Sequence, residues 1–335
     1  MTLIQPLQDI DTTLHPSFFG SFEIKDCWDQ MGPVVLAALD NVIQKCTQPD
    51  TPERRKALYM HDNPAGNLFS LSFGLCEAER LGFVVEYLNF LCIIDDVLED
   101  YPQKESLIEH EILGEVLGRG VECDTQPTLN VTPNTRMEWI EYLHNLKARM
   151  MDVDPVRTPA LLRILEADIR AREDSVEEFN TMEEYLPFRL RNFDYESVSQ
   201  MMLWAMNVDL LPEEANSDLL AKVKASTGAI AVLANDYFSW EREKRQQQDS
   251  DRIRNGVAVF MKELDVPEGD AKEAVKQIII EEEEKVRELM KDVEVGAGFS
   301  DGLRRYLSGL QLFAGGYNFW CATCPRYSRP QGDSE

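Results

Sequence analysis

The chain has 335 residues, of which 44% are hydrophobic, and its 60 acidic side chains outnumber 34 basic ones, giving a net charge of −26. This hydrophobic fraction is typical of a globular core and argues against a disordered chain. The negative charge disfavours a nucleic acid or an anionic membrane surface as partner, because both bind basic faces. An anionic substrate would therefore have to be held by metal ions or by a few well-placed cations.

Apolar residues spaced three and four apart predict helices along most of the chain. The predicted helices span roughly 33–46, 77–98, 105–119, 137–151, 160–174, 197–207, 218–242, 270–292 and 302–320. Polar connectors containing Pro or Gly separate them at 48–52, 101–103, 123–134, 152–159 and 210–214. Strand-like alternation is scarce. The pattern predicts an all-α fold, a single bundle of about ten or more helices.

Targeting signals and cysteine or histidine metal motifs are not recognisable in the sequence. The first 20 residues lack a basic region followed by an apolar one, and no apolar run approaches the ~20 residues of a membrane span. Seven scattered cysteines are typical of reduced thiols, which predicts a cytoplasmic location. The pair Cys321 and Cys324 has no second CxxC or nearby histidine, so buried core thiols are expected there. The four histidines form no metal-ligand spacing.

Four carboxylates crowd residues 95–100, directly after an apolar run. On a helix, Asp95 and Glu99 stack on one face with Asp96 beside them. Acidic groups are unfavourable at the negative end of a helix dipole, so a compensating cation is expected. Mg²⁺ suits this role, because it binds carboxylates together with substrate phosphates. The alternative is an acidic helix end on the surface, and this segment alone does not decide between them.

A second polar segment places three oxygen ligands on one helix face. Asn235, Ser239 and Glu243 are four residues apart, so they form a ladder along the helix. An amide, a hydroxyl and a carboxylate can hold Mg²⁺ while adding a single negative charge. Residues 228–234, just before the ladder, are small or apolar, which indicates the edge of a buried surface. The spacing disfavours the alternative of a solvated helix stripe.

These two segments resemble the metal motifs of class I terpene synthases. Residues 95–99 resemble the aspartate-rich DDxxE motif, and residues 235–243 resemble the NDxxSxxxE motif. Their order and spacing most resemble the N-terminal cyclase domain of fungal chimeric di- and sesterterpene synthases.

Two further positions match the same family. Arg189 lies 46 residues before Asn235, at the position of the pyrophosphate-sensing arginine. Arg326 and Tyr327 resemble the C-terminal arginine–tyrosine pair, with Trp320 six residues before Arg326 as in fungal members. The resemblance thus extends from about residue 65 to residue 327.

The resemblance implies a fold, a domain organisation and an activity. It implies a class I terpenoid synthase-type α domain with a central active-site cavity at 1–327, and a polar tail, 328–335, that could begin a linker to a downstream prenyltransferase domain. The implied reaction is the Mg²⁺-dependent ionisation and cyclisation of a prenyl diphosphate to a polycyclic terpene hydrocarbon, with release of diphosphate. Geranylgeranyl (C20) or geranylfarnesyl (C25) diphosphate is favoured as substrate, farnesyl diphosphate (C15) is the alternative, and homo-oligomerisation is left open.

The resemblance also assigns the site residues. The expected ligands of three Mg²⁺ ions are Asp95, Glu99, Asn235, Ser239 and Glu243. The expected diphosphate-binding residues are Arg189, Arg242, Arg326 and Tyr327. The residues with expected catalytic roles are Asp95, Arg189, Asn235, Ser239 and Glu243.

The carbocation that remains after ionisation requires walls without strong nucleophiles, and seven side chains are predicted to supply them. Three lie behind Asp95 on its helix: Leu88, Leu91 and Cys92. Four are rings that stabilise cations through their π faces, with ordinary core packing as the alternative for each: Phe69, Phe73, Trp204 and Trp320.

The segment around Arg189 carries a further expectation. Pro187 should interrupt the helix before Arg189, and the family's relay positions after the sensor correspond to Asn192 and Phe193. Relatives often have Asp at the first of these, so Asn192 departs from the pattern.

Three alternatives to a class I cyclase remain at this stage. A prenyl-chain elongating synthase would need a second DDxxD motif, and the chain has the asparagine–serine–glutamate ladder instead. A class II cyclase would need a DxDD motif, which the sequence lacks. A non-enzymatic acidic helical scaffold would have no reason to carry both metal motifs, and a product assay with and without Mg²⁺ separates it from an enzyme.

Overall fold

Helices form almost all of the secondary structure in the computed structural model, which describes residues 7–61, 63–98, 103–118, 133–171, 178–246, 254–295 and 298–328. The helices are α1 (Trp28–Cys46), α2 (Pro52–Tyr59), α3 (Leu68–Ser72), α4 (Ala78–Leu98), α5 (Gln103–Gly118), α6 (Pro133–Val153), α7 (Thr158–Ala171), α8 (Met182–Asn192), α9 (Tyr195–Ala205), α10 (Pro212–Ala215), α11 (Asp218–Gln246), α12 (Gly256–Glu263), α13 (Glu268–Val295), α14 (Asp301–Thr323) and α15 (Pro325–Ser328). A 3₁₀ turn (Thr12–Leu14) and a small antiparallel ribbon of β1 (Gln8–Asp9) and β2 (Lys25–Asp26) precede them. The predicted all-α fold is confirmed.

The central helix α4 is apolar on nearly all sides and packs against α1, α2, α6 and α9. Leu88, Cys92 and Asp95 are partly exposed, although their neighbours along the helix are buried. They are four and three residues apart and therefore lie on one stripe. This partly exposed stripe of α4 ends at Asp95.

Helix α14 brings the short helix α3 close to α11. Its packing partners include α3, α11 and α13. A Cβ on Gly316 would lie 2.0 Å from the carbonyl oxygen of Leu71, so only glycine permits the α3 backbone to approach this closely. The contact places Phe69 and Phe73 of the α3 region beside the aromatic face of α14.

All nine predicted helices are present, with ends that differ by a few residues. Helix α1 starts at Trp28, before the predicted start at residue 33. Pro33 lies inside the helix. The helices that the prediction missed are α2, α3, α8, α10, α12 and α15. Most of these are too short to show a full amphipathic period.

The expected helix break at Pro187 is wrong. Helix α8 continues through Pro187 to Asn192, and the chain turns only at Asp194, whose φ of 54° is left-handed. A proline removes one N–H donor from a helix and crowds the preceding turn. Helix α8 continues despite both effects. Arg189 therefore lies in an unbroken helix, one turn before the corner.

Among the described helices, none combines the length and apolar composition that a membrane crossing requires. Cys321 and Cys324 are both buried free thiols near the end of α14.

Candidate active site

The oxygen ladder of α11 lies at the edge of the buried core, as its spacing predicts. Ser239 is 1% exposed, while Asn235 and Glu243, one turn to either side, are partly exposed. The Ser239 Oγ is buried and interacts with the Glu243 carboxylate one turn further along the helix. Burial and the negative charge of Asp236 raise the pKa of Glu243, although hydrogen bonds from Ser239 and Asn255 act in the opposite direction. The ladder thus places a hydroxyl beside a carboxylate whose surroundings favour a cation.

Arg189 extends from α8 to the first residue of this ladder. Its Nη2 donates to Asn235 Oδ1 at 2.8 Å, and its Nη1 donates to Asn192 Oδ1 at 2.9 Å. Its Nε donates to Asp236 Oδ1 at 2.9 Å. These bonds use three of the five guanidinium N–H donors, so within the described chain two donors can meet a ligand.

Asp236 anchors this arrangement and is fully buried. Besides Arg189, its carboxylate accepts hydrogen bonds from the Tyr185 hydroxyl at 2.6 Å and from the backbone N–H of Gly256 at 2.8 Å. Burial alone would lower the pKa of Arg189, but the Asp236 carboxylate raises it above the usual value. The guanidinium therefore remains charged. The sequence analysis did not single out Asp236, although a buried acid beside an apolar helix segment requires a partner.

The acidic end of α4 is paired with the C-terminal arginine. Arg326 forms two hydrogen bonds to the Asp96 carboxylate, at 2.9 and 3.3 Å. Burial opposes ionisation of Asp96, but the Arg326 guanidinium lowers its pKa below the usual value. Asp95, the predicted metal ligand, is partly exposed at the end of the α4 stripe, whereas Glu99 lies outside the described residues.

Tyr317 of α14 and Tyr327 of α15 connect these helices to the ladder. Asn235 Nδ2 donates to the Tyr327 hydroxyl at 2.8 Å and to the Tyr317 hydroxyl at 3.3 Å. The Arg242 guanidinium lies 6.0 Å from the Tyr327 ring, and its Nε is buried without a hydrogen-bond partner in the described chain. The structure therefore brings Arg189, Arg242 and Tyr327 to the same end of α11. Arg326, the residue next to Tyr327, is held at Asp96 of α4.

A continuous row of aromatic rings begins at this end of α11. Successive ring centroids are 5.5 to 6.1 Å apart. The rings, in spatial order, are Phe69, Phe73, Phe313, Tyr317, Trp320 and Tyr327. Phe193 adds an edge-on contact to Tyr317 at 5.3 Å. Phe69, Phe73 and Trp320, three of the predicted wall residues, therefore belong to one row of rings that reaches the ladder, and their role as walls stays a prediction.

The remaining predicted wall residues are on α4 and α9. Leu88 and Cys92 lie on the partly exposed stripe of α4, and Leu91 is 4% exposed beside them. Trp204 lies near the N-terminal end of α4, with the Arg80 guanidinium 4.6 Å from its ring. At 1.5 Å per residue, Arg80 lies about 22 Å along α4 from Asp95. Trp204, which contacts Arg80, is therefore separated from the polar end of the site. Its role as a wall stays a prediction.

These residues fit a metal-bound diphosphate. Amide, hydroxyl and carboxylate oxygens are hard ligands of the type that Mg²⁺ prefers, and Asn235, Ser239 and Glu243 supply one of each on one face of α11. The Asn235 oxygen has two lone pairs, so its bond from Arg189 leaves one for a cation. Unengaged arginine donors at the same end suit an anion.

The chain matches a known protein family. Residues 86–285 match the model of terpene synthase family 2, C-terminal metal binding, over more than half of the sequence. The chain belongs to this family. The resemblance that the two metal motifs suggested is thereby confirmed. The matched segment of this terpene synthase includes Asp95, Arg189 and the whole ladder of α11.

Curated relatives of this terpene synthase family chain come from fungi. It is 31% identical over 291 residues to a bifunctional terpene synthase of Fusarium proliferatum, covering 84% of this chain and 37% of that protein. It is 28% identical over 271 residues to a sesterterpene synthase of Colletotrichum orbiculare, covering 79% of this chain and 37% of that protein. The chain thus spans little more than a third of the length of these relatives.

Solved structures support the fold. Aristolochene synthase from Penicillium roqueforti superposes with a TM-score of 0.68 at 20% identity, covering 86% of this chain and 94% of that one. A variant of cucumene synthase superposes with a TM-score of 0.69 at 15% identity, covering 98% of this chain and all of that one. The terpene synthase family member therefore has the class I terpenoid synthase fold.

Proposed function

We propose that this chain ionises and cyclises a linear prenyl diphosphate in a Mg²⁺-dependent reaction, giving a polycyclic terpene hydrocarbon and diphosphate. One observation carries the proposal: the oxygen ladder of α11, two arginines and a tyrosine converge where a row of aromatic rings begins. The polar end suits the charged head of a prenyl diphosphate, and the rings suit its apolar tail. Membership of the terpene synthase family and the names of the fungal relatives support this assignment.

The residues that would hold the metal belong to two helices. We propose that Asp95, together with Glu99 outside the described residues, holds Mg²⁺ from α4, and that Asn235, Ser239 and Glu243 hold it from α11. Three ions are expected from the resemblance. When bound, they supply Lewis-acid stabilisation of the negative charge that develops on the leaving diphosphate.

The cationic side chains orient the diphosphate. Arg189 is held by Asp236 and two amide oxygens, so its remaining donors are fixed in direction before a ligand binds. Arg326 is fixed in the same way by Asp96, and Arg242 and Tyr327 lie beside each other. Donors that are already oriented stabilise developing charge without a cost of reorganisation.

The apolar part of the site would protect and fold the carbocation. Leu88, Leu91 and Cys92 offer no strong nucleophile, and the rings of Phe69, Phe73, Trp320 and Tyr317 present π faces and edges that stabilise positive charge. Leu91 and the four rings are buried, which also excludes water that would otherwise quench the cation as an alcohol.

The substrate length is proposed from the relatives. The name of the Colletotrichum orbiculare relative identifies a sesterterpene synthase, which favours a C25 substrate, and C20 geranylgeranyl diphosphate follows from the resemblance to di- and sesterterpene cyclases. Farnesyl diphosphate is the alternative substrate. A prenyl-chain elongating activity is the alternative reaction, although the ladder on α11 carries asparagine and serine in place of aspartates.

We further propose that residues 1–327 form the cyclase domain and that the polar segment 328–335 begins a linker to a prenyltransferase domain. The relatives support this organisation, because one is named bifunctional and both are nearly three times longer than the matched region. A cytoplasmic location is proposed from the seven cysteines scattered along the sequence, which are typical of reduced thiols.

The direct test is incubation of the purified chain with C10, C15, C20 and C25 prenyl diphosphates, with and without Mg²⁺, analysed by gas chromatography–mass spectrometry. Cyclic hydrocarbons that form only with Mg²⁺ are expected, from the C20 or C25 substrate. Longer prenyl diphosphates after addition of isopentenyl diphosphate would indicate the elongating activity instead. No product from any substrate would contradict both.

Substitution of the ring row is expected to alter the products rather than abolish turnover. Trp320→Leu or Phe69→Leu removes a π face from the proposed wall, so the cation should fold or lose its proton differently while diphosphate release stays within about tenfold of wild type. The measurement is the product profile from the preferred substrate.

Phe90→Leu is the matched control for these two variants. Phe90 is equally buried but stacks on Tyr142 of α6, with ring centroids 5.6 Å apart. It should lower the unfolding temperature without altering the product profile. Unchanged products from both Trp320→Leu and Phe69→Leu would show that these rings only pack in the core and do not contact the cation.

A further inference from the structure

Asn255 lies directly before the first residue of α12. It is fully buried and caps α12, because its Oδ1 accepts a hydrogen bond from the Val257 N–H at 2.8 Å. Its Nδ2 donates to the backbone oxygen of Asp236 at 2.8 Å and to Glu243 Oε2 at 2.9 Å. The side-chain amide thus has partners on both its oxygen and its nitrogen.

Helix capping does not account for the amide. A cap requires an oxygen acceptor, which serine or aspartate would also provide. The additional requirement is a donor, because both groups that face Nδ2 are oxygen acceptors. Asparagine meets both requirements at once. Its donor is needed because the Glu243 carboxylate and the Asp236 backbone oxygen of α11 both accept hydrogen bonds from it.

The first residues of α12 hold both functional parts of α11. Asn255 binds Glu243 at the last position of the ladder, and the neighbouring Gly256 N–H binds the Asp236 carboxylate at 2.8 Å. Asp236 in turn holds Arg189. The start of α12 therefore fixes one proposed metal ligand and the anchor of the proposed diphosphate arginine.

We propose that Asn255 is a positioning residue for the metal site, which it serves by fixing the orientation of the Glu243 carboxylate. The bond from Nδ2 to Glu243 Oε2 limits the rotation of the carboxylate that is proposed to ligate Mg²⁺. This inference rests on the proposed function, because it assigns Glu243 to the metal. Side chains that orient a metal ligand typically contribute 10- to 100-fold to metal affinity.

The test is a calorimetric titration of MgCl₂ into the metal-free chain in the presence of inorganic diphosphate. Asn255→Ser retains the capping oxygen and removes the donor. It should weaken Mg²⁺ binding by about 10-fold or more, while the unfolding temperature without Mg²⁺ changes by only a few degrees. In turnover assays, the Mg²⁺ concentration for half-maximal rate should rise more than kcat falls.

Asn67→Ser is the matched control. Asn67 is also buried and also caps a helix, because its Oδ1 accepts from the Phe69 N–H at 2.9 Å. The same substitution there should lower stability by a similar amount and leave Mg²⁺ affinity unchanged. Asn255→Asp, which keeps the size but turns a second carboxylate toward Glu243, should weaken binding further than Asn255→Ser.

The outcomes separate this inference from the proposed function. Wild-type Mg²⁺ affinity in Asn255→Ser, or an equal loss in Asn67→Ser, would overturn the positioning role even if the enzyme cyclises prenyl diphosphates. If wild type binds Mg²⁺ with diphosphate but turns over no prenyl diphosphate, the proposed reaction is wrong and the affinities still decide the role of Asn255. If wild type binds no Mg²⁺, the metal assignment and this inference both fail.

Discussion

Replacing Asn235 with alanine is expected to reduce turnover on the order of 10³-fold. The side chain is proposed to ligate Mg²⁺, and it also joins Arg189 at 2.8 Å to Tyr327 at 2.8 Å. Its removal therefore affects a metal ligand and two proposed diphosphate donors together. Since Asn235 is only partly buried, the fold should survive, and circular dichroism should remain that of wild type while steady-state diphosphate release falls.

Asn192→Ala isolates the arginine contact from the metal. Asn192 accepts from the same guanidinium at 2.9 Å but is not a proposed ligand, so its loss should reduce turnover only about tenfold, equivalent to about 1.4 kcal/mol. Equal losses in the two variants would show that Asn235 acts only through Arg189. Turnover above a tenth of wild type in Asn235→Ala would contradict its assignment to the metal.

The long helices and the ladder could be predicted because both depend on local spacing. An apolar residue every three or four positions predicted α4, α11 and α14, with ends within a few residues of the observed ones. The same periodicity placed Asn235, Ser239 and Glu243 on one face without any tertiary information. Features of this kind need only the geometry of a single helix.

What could not be predicted depends on contacts between distant segments. Tyr185, Asp236 and Gly256 meet although up to 71 positions separate them, as their hydrogen bonds to one carboxylate show. The error at Pro187 has a related cause: proline disfavours a helix locally, but Tyr185, Phe188 and Arg189 of α8 are buried by tertiary packing, which outweighs one lost hydrogen bond. Sequence spacing carries no record of such compensation.

An arginine is paired with an aspartate at each end of the site, and the two pairs differ in burial. Arg189 is paired with Asp236 on the α11 side, and Arg326 is paired with Asp96 on the α4 side. In a chain with net charge −26, these pairs hold cations where a polyanion is proposed to bind. The side chains of Arg189 and Asp236 are 10% and 0% exposed, and those of Arg326 and Asp96 are 16% and 9% exposed. The Arg189 pair is therefore the more deeply buried of the two and should matter more for stability.

Asp236→Asn is accordingly expected to destabilise the fold as well as reduce turnover. The variant leaves Arg189 buried without a counter-charge and turns an amide N–H₂ toward a group that already donates, either Arg189 or the Tyr185 and Gly256 donors. Breaking a buried ion pair in this way costs about 3–5 kcal/mol. With an unfolding entropy of about 2.1 cal/mol/K per residue, the unfolding temperature should fall by about 4–7 °C.

Asp96→Asn is the matched control, because it removes the same charge from the less deeply buried pair. It should lower the unfolding temperature by less than Asp236→Asn does, while turnover decreases in both variants since each frees an arginine that is proposed to bind diphosphate. Thermal unfolding followed by circular dichroism without Mg²⁺ measures the difference. If Asp236→Asn unfolds at the wild-type temperature, the buried pair is not what holds α8 to α11, and the orientation of Arg189 must come from Asn192 and Asn235 alone.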